Sequence, residues 1–155
     1  MMKFIAFVCF ASLLSSQVLA MEGIVECKYI KAPLPSITEN NQCEVNPCTI
    51  NNGDIVESTT TFTTPETSTL TYNVDAYLGT FKIPVEFVPE EEKDACKGLI
   101  SGSCPAKAGD VVTHRVTLPV DAPMEATIHM EAYVTDENKQ PIFCYRSTVT
   151  VVDNV

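Results

Sequence analysis

The chain has no tryptophan and only two histidines, His114 and His129. It has half as many basic as acidic residues, 10 Lys+Arg against 20 Asp+Glu. Each scarcity narrows what the protein can be. Without a tryptophan flanked by a long-range cysteine pair, an antibody-type domain is excluded, although a similar architecture is not. Two histidines and no unpaired cysteine beyond the N-terminal segment leave few ways to build a nucleophile–base pair. No Gly-x-Ser-x-Gly elbow, His-Glu-x-x-His or phosphate-cradling glycine loop occurs. The chain therefore reads as a non-enzyme. The acidic balance argues against nucleic acid and anionic membrane surfaces as standing partners. No segment carries a sustained helical period, and no internal repeat or linker is visible.

Apolar sequence of unusual length occurs only at the start. Lys3 precedes a stretch from Phe4 to Leu14 interrupted only by Ser12, and Val18-Leu19-Ala20 offers a small-residue cleavage site. This pattern predicts a signal peptide over residues 1–20, too short for a membrane span, followed by one domain over 21–155. Removing Lys3 leaves 9 basic against 20 acidic residues, a formal charge of −11 on a soluble mature chain. No Asn-x-Ser/Thr sequon is present, since Asn46 is followed by Pro47 and Asn73 by Val74-Asp75. Sorting directed by an N-glycan is then not expected, and the predicted destination is extracellular.

Seven cysteines are present, and Cys9 falls within the signal segment. The remaining six are Cys27, Cys43, Cys48, Cys96, Cys104 and Cys144. In a secreted chain an even number reads as a disulfide framework. Six cysteines leave many connectivities open. The two close pairs, Cys43/Cys48 and Cys96/Cys104, favour local bridges and leave Cys27 for Cys144. The last bridge would close a loop of roughly 117 residues, for which chain entropy gives about 4–5 kcal/mol. Cys43-x4-Cys48 resembles metal-ligand spacing only loosely, and secretion favours the disulfide.

Between these cysteines the repeated signal is alternation of period two, bounded by Pro, Gly, Asn and Asp. Ile55 to Thr63 places Val56, Thr60 and Phe62 on one side. Leu70, Tyr72, Val74, Ala76 and Leu78 share a face opposite Thr71, Asn73 and Asp75. Val112, His114, Val116 and Leu118 alternate with Thr113, Arg115 and Thr117. Ile128, Met130, Ala132 and Val134 alternate with His129, Glu131 and Tyr133, and Tyr145, Ser147, Val149 and Val151 close the chain. Asn51-Asn52-Gly53-Asp54 and Asp136-Glu137-Asn138 are turn formers. The expected fold is an all-β, immunoglobulin-like antiparallel sandwich.

The order of motifs is more specific than any one of them. Cys27 is followed by Cys43-x4-Cys48, the Gly53 turn and the Ile55–Phe62 strand. Then come Ile83-Pro84-Val85-Glu86-Phe87, Asp94-Ala95-Cys96-Lys97, Cys104-Pro105 with Gly109, Leu118-Pro119-Val120, Pro123 and Ile142-Phe143-Cys144-Tyr145. This arrangement resembles the MD-2-related lipid-recognition (ML) family, in its Niemann-Pick type C type-2-like branch, to which mite group 2 allergens are related. The resemblance covers essentially all of the chain after the signal segment. It implies a secreted sandwich with three disulfides that carries a sterol, fatty acid or other apolar molecule between its sheets. Phe87 matches the family's aromatic at the pocket mouth, Val120 a mouth valine and Tyr145 a wall aromatic. Met130, Ser147 and Val149 match inward wall positions. Ala122 and Ala132 depart from the sterol carriers, which have aromatic residues there. Both changes make the space roomier and favour acyl chains or other apolar molecules over a rigid ring.

The lining expected on this reading comprises Phe62, Val74, Phe87, Leu118, Val120, Met130, Ala132, Tyr145 and Val149. It needs no metal and no cofactor. A monomer is expected, with a membrane receptor or a lipid-accepting protein as a further partner. Apolar alternation alone serves a solid core equally well, so a lipid-presenting innate-immune co-receptor and a solid, allergen-like structural protein stand as alternatives to a carrier. Phe87, between Pro84 and Pro89, fits either a gate or a plug at a strand end. His114, on an apolar face, reads as a hydrogen-bonded core histidine ahead of a pH switch, and His129 as exposed. Glu90-Glu91-Glu92 reads as a solvated loop ahead of a receptor-docking patch.

Overall fold

The computed structural model describes residues 20–84 and 86–153. The signal segment predicted over 1–20 therefore lies outside the described residues apart from Ala20. Among the described residues, nine strands form two sheets. The first contains β1 (Ile37–Asn40), β3 (Ile55–Thr63), β7 (Val111–Pro119) and β6 (Leu99–Ser101), in that spatial order. The second contains β2 (Cys48–Asn51), β9 (Pro141–Val152), β8 (Ala126–Thr135), β4 (Thr71–Leu78) and β5 (Phe81–Lys82). Glu90–Glu92 forms a short 3-10 turn.

The alternating pattern explains the layers. In β3 the buried residues are Val56, Ser58, Thr60 and Phe62; in β7 they are Val112, His114, Val116 and Leu118. Register places Val56 opposite Leu118, Ser58 opposite Val116, Thr60 opposite His114 and Phe62 opposite Val112. In the facing sheet, Ile128 lies opposite Val149, Met130 opposite Ser147, Ala132 opposite Tyr145 and Val134 opposite Phe143. One set of alternate side chains per strand fills the space between the sheets, as a sandwich requires. The sandwich is all-β, as expected, but one edge is not antiparallel. Strand β2 pairs parallel with β9, Cys48 opposite Val149. After β1 the chain crosses to the other sheet through the Cys43–Cys48 bridge, and this short crossing delivers β2 to the open edge of β9 in the same direction.

The disulfides are Cys27–Cys144, Cys43–Cys48 and Cys96–Cys104, with Cα separations of 5.9, 5.6 and 5.8 Å, within the ordinary range. The first ties the segment that follows Cys27 across the outer face of the second sheet. Val25 and Arg146 exchange both backbone hydrogen bonds, and the Cys144 amide donates to the Pro33 carbonyl. Tyr29 stacks on Tyr77 with centroids 4.3 Å apart. This cover corrects one reading based on alternation: Glu131, placed on a polar face, is wholly buried. Tyr77 and Cys144 are buried with it, although they too point away from the inter-sheet space.

A buried carboxylate is costly unless paired and hydrogen-bonded. Glu131 has both kinds of partner. Arg146 Nη1 donates to its Oε1 at 2.8 Å, and the Lys28 amide does so at 2.6 Å. The Tyr29 and Ile30 amides reach Oε2 at 3.2 and 3.3 Å. Three consecutive backbone donors and a guanidinium thus converge on one side chain, fixing the covering segment to β8 and β9. One smaller departure lies at a strand end: Leu78 is exposed, whereas Leu70 is buried as read, just before β4 begins.

Removing one partner of such a pair leaves the other buried and uncompensated. Glu131→Gln should lower unfolding free energy by about 3 kcal/mol in chemical denaturation. Amide exchange at Lys28–Ile30 should rise more than exchange within β3 and β7.

Candidate functional site

The facing strands do not fill the sandwich evenly. At one end Phe62 packs on Phe143 with centroids 4.6 Å apart, and Phe143 lies parallel to Tyr145 at 6.5 Å. Towards the other end the side chains become small: Ser58, Ala76, Ala132 and Ser147 are all inward and buried. Large residues hold the sheets apart where small ones cannot fill the gap. The result is an apolar cavity of about 370 Å³, within the usual range for small-molecule sites.

Val74, Leu118, Met130, Ala132, Tyr145 and Val149 line this cavity, and Phe87 and Val120 stand at its half-buried rim. These residues were all picked out by the sequence. Phe62 was also picked out and does not line the cavity. Register puts it two rungs below Ser58, where it meets Phe143 and closes the end of the space. Its alternation phase was right and its depth was not, because period two assigns a face without a height along the strand. Ala122 lies at the rim and Ser147 in the wall.

Several lining residues had not been assigned. Val56, Ser58 and Tyr72 share the inward phase of residues already chosen, so alternation could have found them. Met21, Ile50, Val88, Glu86 and Asp121 lie outside the alternating runs and gave no such signal. The rim segment is held by local geometry. The Ile83 amide donates to the Ala76 carbonyl, and Pro84 and Pro89 bracket Phe87 without offering amide donors of their own. Phe87 is half-buried against the core.

Polar groups gather at the inner end. The Tyr145 hydroxyl lies 3.4 Å from Ser58 Oγ, which donates to the Glu39 carbonyl at 3.2 Å. Tyr72 and Tyr145 are close enough for each phenol to affect the other's ionisation. Burial, and then Tyr145, raise the Tyr72 pKa well above its ordinary value. Burial raises that of Tyr145 against the opposing effect of the Ser58, Tyr72 and Thr60 hydroxyls. Both phenols are protonated at neutral pH.

His114 is in the core but is not the hydrogen-bonded histidine expected. It is 1% exposed, and neither ring nitrogen has a hydrogen-bond partner among the described residues. Its ring lies 5.2 Å from that of Tyr72. Gly98 packs so closely that a Cβ there would come 2.7 Å from Nε2. Burial lowers its pKa from 6.5 to about 4. His129, read as exposed, is half-buried on the outer face, with Nδ1 2.9 Å from Thr148 Oγ1. The acidic turn at the rim is largely engaged. Lys93 Nζ pairs with Glu86 at 2.7 Å and Glu90 at 2.5 Å, and Glu92 accepts from the Thr117 amide at 3.1 Å. Cys27, Glu131 and Cys144 bring potential metal-ligand atoms together. Both sulfurs are in one disulfide and the carboxylate is held by Arg146, so the group does not form a metal site.

A sandwich with three such bridges and an apolar gap at one end fits a known architecture. The ML domain family matches residues 24–151. The chain belongs to the ML domain family. No curated protein matches it in sequence. Among solved structures, a Niemann-Pick type C2 protein from Japanese carpenter ant superposes with a TM-score of 0.68 at 18% identity, covering 84% of this chain and 99% of that one. At that identity the likeness shows a shared fold. ML domains form a lipid-binding family of non-enzymes, and this disulfide-rich fold is typical of extracellular or lysosomal-lumen proteins.

In this ML domain His114 predicts an acid sensitivity. Its folded pKa of about 4 lies below the ordinary 6.5, so the unfolded chain takes up the proton first. The stability tied to neutral His114 is complete above about pH 6.5 and declines as pH falls towards about 4. The loss should be about 3 kcal/mol. Urea denaturation of His114→Leu should show a flatter pH dependence than the unaltered protein across that window.

Proposed function

We propose that the protein is a secreted carrier that binds an apolar lipid between its two sheets and transfers it through water. The observation that supports this most is the cavity itself. Its walls are apolar side chains from both sheets, and its rim is half-buried rather than sealed. Transfer of hydrocarbon from water into such a space is favourable by about 0.8 kcal/mol per CH2. No bond to the ligand is needed, so loading is reversible. Sterols, fatty acids and other apolar molecules are the candidate cargo, and a membrane receptor or lipid-accepting protein is the candidate recipient. The reading is tested by native mass spectrometry of protein purified without added lipid. A reproducible adduct, lost on delipidation and restored by a defined lipid, is the expected result; absence of any restorable adduct overturns the reading.

Two substitutions probe entry and volume separately. Phe87→Asp puts a charge at the rim and should raise the Kd of a fluorescent sterol or fatty acid about tenfold, with melting little changed. Ala132→Phe fills space a ligand would occupy. In a close-packed core an added ring strains the structure by about 1–3 kcal/mol. In a hollow one it should leave the Tm of delipidated protein unchanged or raised while strongly reducing lipid binding. The Tm must be taken without ligand, because a bound lipid stabilises the fold by mass action.

A further inference from the structure

Part of the cavity rim has no regular structure. Val120, Asp121 and Ala122 line the cavity just after β7 ends, and Val120 and Ala122 pack half-buried against the core. The tight turn that follows β2 holds them in place. The Gly53 amide donates to the Val120 carbonyl at 2.9 Å, and the Val120 amide donates to the Asp54 carbonyl at 2.9 Å. Two residues further on, a side chain takes over from the backbone. Asn52 Nδ2 donates to the Ala122 carbonyl at 2.8 Å, and Asn52 Oδ1 accepts from the Ala122 amide at 3.0 Å. Nδ2 also donates to Asp153 Oδ1 at 3.0 Å.

The turn is itself well fixed. The Asp54 amide donates to the Asn51 carbonyl at 3.1 Å, and Asp54 Oδ2 accepts from the Asn51 amide at 3.1 Å. The Asn52 amide donates to the Val152 carbonyl at 2.7 Å, which ties the turn to the end of β9. Gly53 has φ of +91°, a conformation glycine adopts without strain. Engaging the N–H and C=O of Ala122 together takes a short side chain that both donates and accepts. Asparagine does so with an amino group carrying two hydrogens and a carbonyl oxygen. An aspartate of the same shape would set an acceptor against the Ala122 carbonyl and a charge against Asp153. An alanine would leave both Ala122 groups to water.

We propose that Asn52 is a positioning residue for lipid exchange: its carboxamide fixes the Val120–Ala122 part of the rim and so sets how fast an apolar ligand enters and leaves. Asn52 is not itself among the residues that line the cavity. Val74, Met130 and Ala132, which line it deeper, belong to β4 and β8, and β9 separates those strands from β2. Loosening the rim therefore lowers the barrier to passage in both directions and leaves the bound state nearly unchanged. The proposal rests on the carrier reading and deepens it.

The test is stopped-flow binding of N-phenyl-1-naphthylamine to delipidated protein. The slope and intercept of the observed rate against probe concentration give the association and dissociation rate constants. In Asn52→Asp and in Asn52→Ala both constants should rise about tenfold, the effect of losing one or two ordinary hydrogen bonds. Their ratio, the Kd, should shift by no more than about twofold. Amide exchange at Val120 and Ala122 should rise in both variants. Adding Asp153→Asn to Asn52→Asp replaces a repelling carboxylate with an amide donor and should return both rate constants most of the way. A turn residue with a merely structural role would lower the Tm without moving the two constants together. Unchanged rate constants overturn the proposal. So does a rise in dissociation alone, which would place Asn52 in holding the ligand and not in its passage. Either result leaves the carrier reading intact. If neither the probe nor any defined lipid binds the unaltered protein, both readings fall.

Discussion

The distance between the sheets is set by aromatic rings at one end of the sandwich. Phe62 from the first sheet meets Phe143 from the second at 4.6 Å, and Tyr145 continues the stack one rung higher. Rings of this size hold facing backbones apart, and strands cannot bend back over two or three residues to close the gap that follows. Above the rings the inward positions include Ser58, Ala76, Ala132 and Ser147, small residues set among Val56, Val74, Leu118, Met130 and Val149. Close packing, the rule in protein interiors, is therefore broken at one end by the side chains that satisfy it at the other. Everything attributed to the site depends on that wedge.

A hollow layer removes internal contacts, so the walls need support from outside. The second sheet receives it from the segment that begins near Cys27. The Cys27–Cys144 bridge anchors it, and Glu131 gathers the Lys28, Tyr29 and Ile30 amides together with Arg146. Arg146 also lies 5.8 Å from the rings of both Tyr29 and Tyr77. Strands β8 and β9, which supply Met130, Ala132, Tyr145, Ser147 and Val149 to the cavity, are thus braced on the face away from it.

Much of this was legible in the residues. The β3 alternation, Val56 to Phe62, and the β7 alternation, Val112 to Leu118, gave the correct inward faces. The spacing of Cys43 with Cys48 and of Cys96 with Cys104 gave the bridges. What failed did so for identifiable reasons. Glu131 follows the outward phase of its strand, and alternation cannot see that a segment about a hundred residues earlier covers that face. Phe62 has the inward phase, but phase carries no information about depth. His114 was expected to find a hydrogen-bond partner, and Gly98 and Tyr72 pack apolar surface against it instead.

The sequence by itself determined the five long strands, their inward faces and the two short cysteine bridges. These are local matters: a period of two, a turn-forming cluster or a short cysteine spacing is complete within a few residues. Only the tertiary structure decided that the interior is hollow, where the hollow ends, and which groups meet there. Those depend on which rung of one sheet faces which rung of the other. Ser58, Tyr72 and Tyr145 come from three strands and two sheets, and no spacing along the chain brings their hydroxyls together. The outcome depends on the rungs at which Phe62, Phe143 and Tyr145 meet across the sandwich, which no local pattern records.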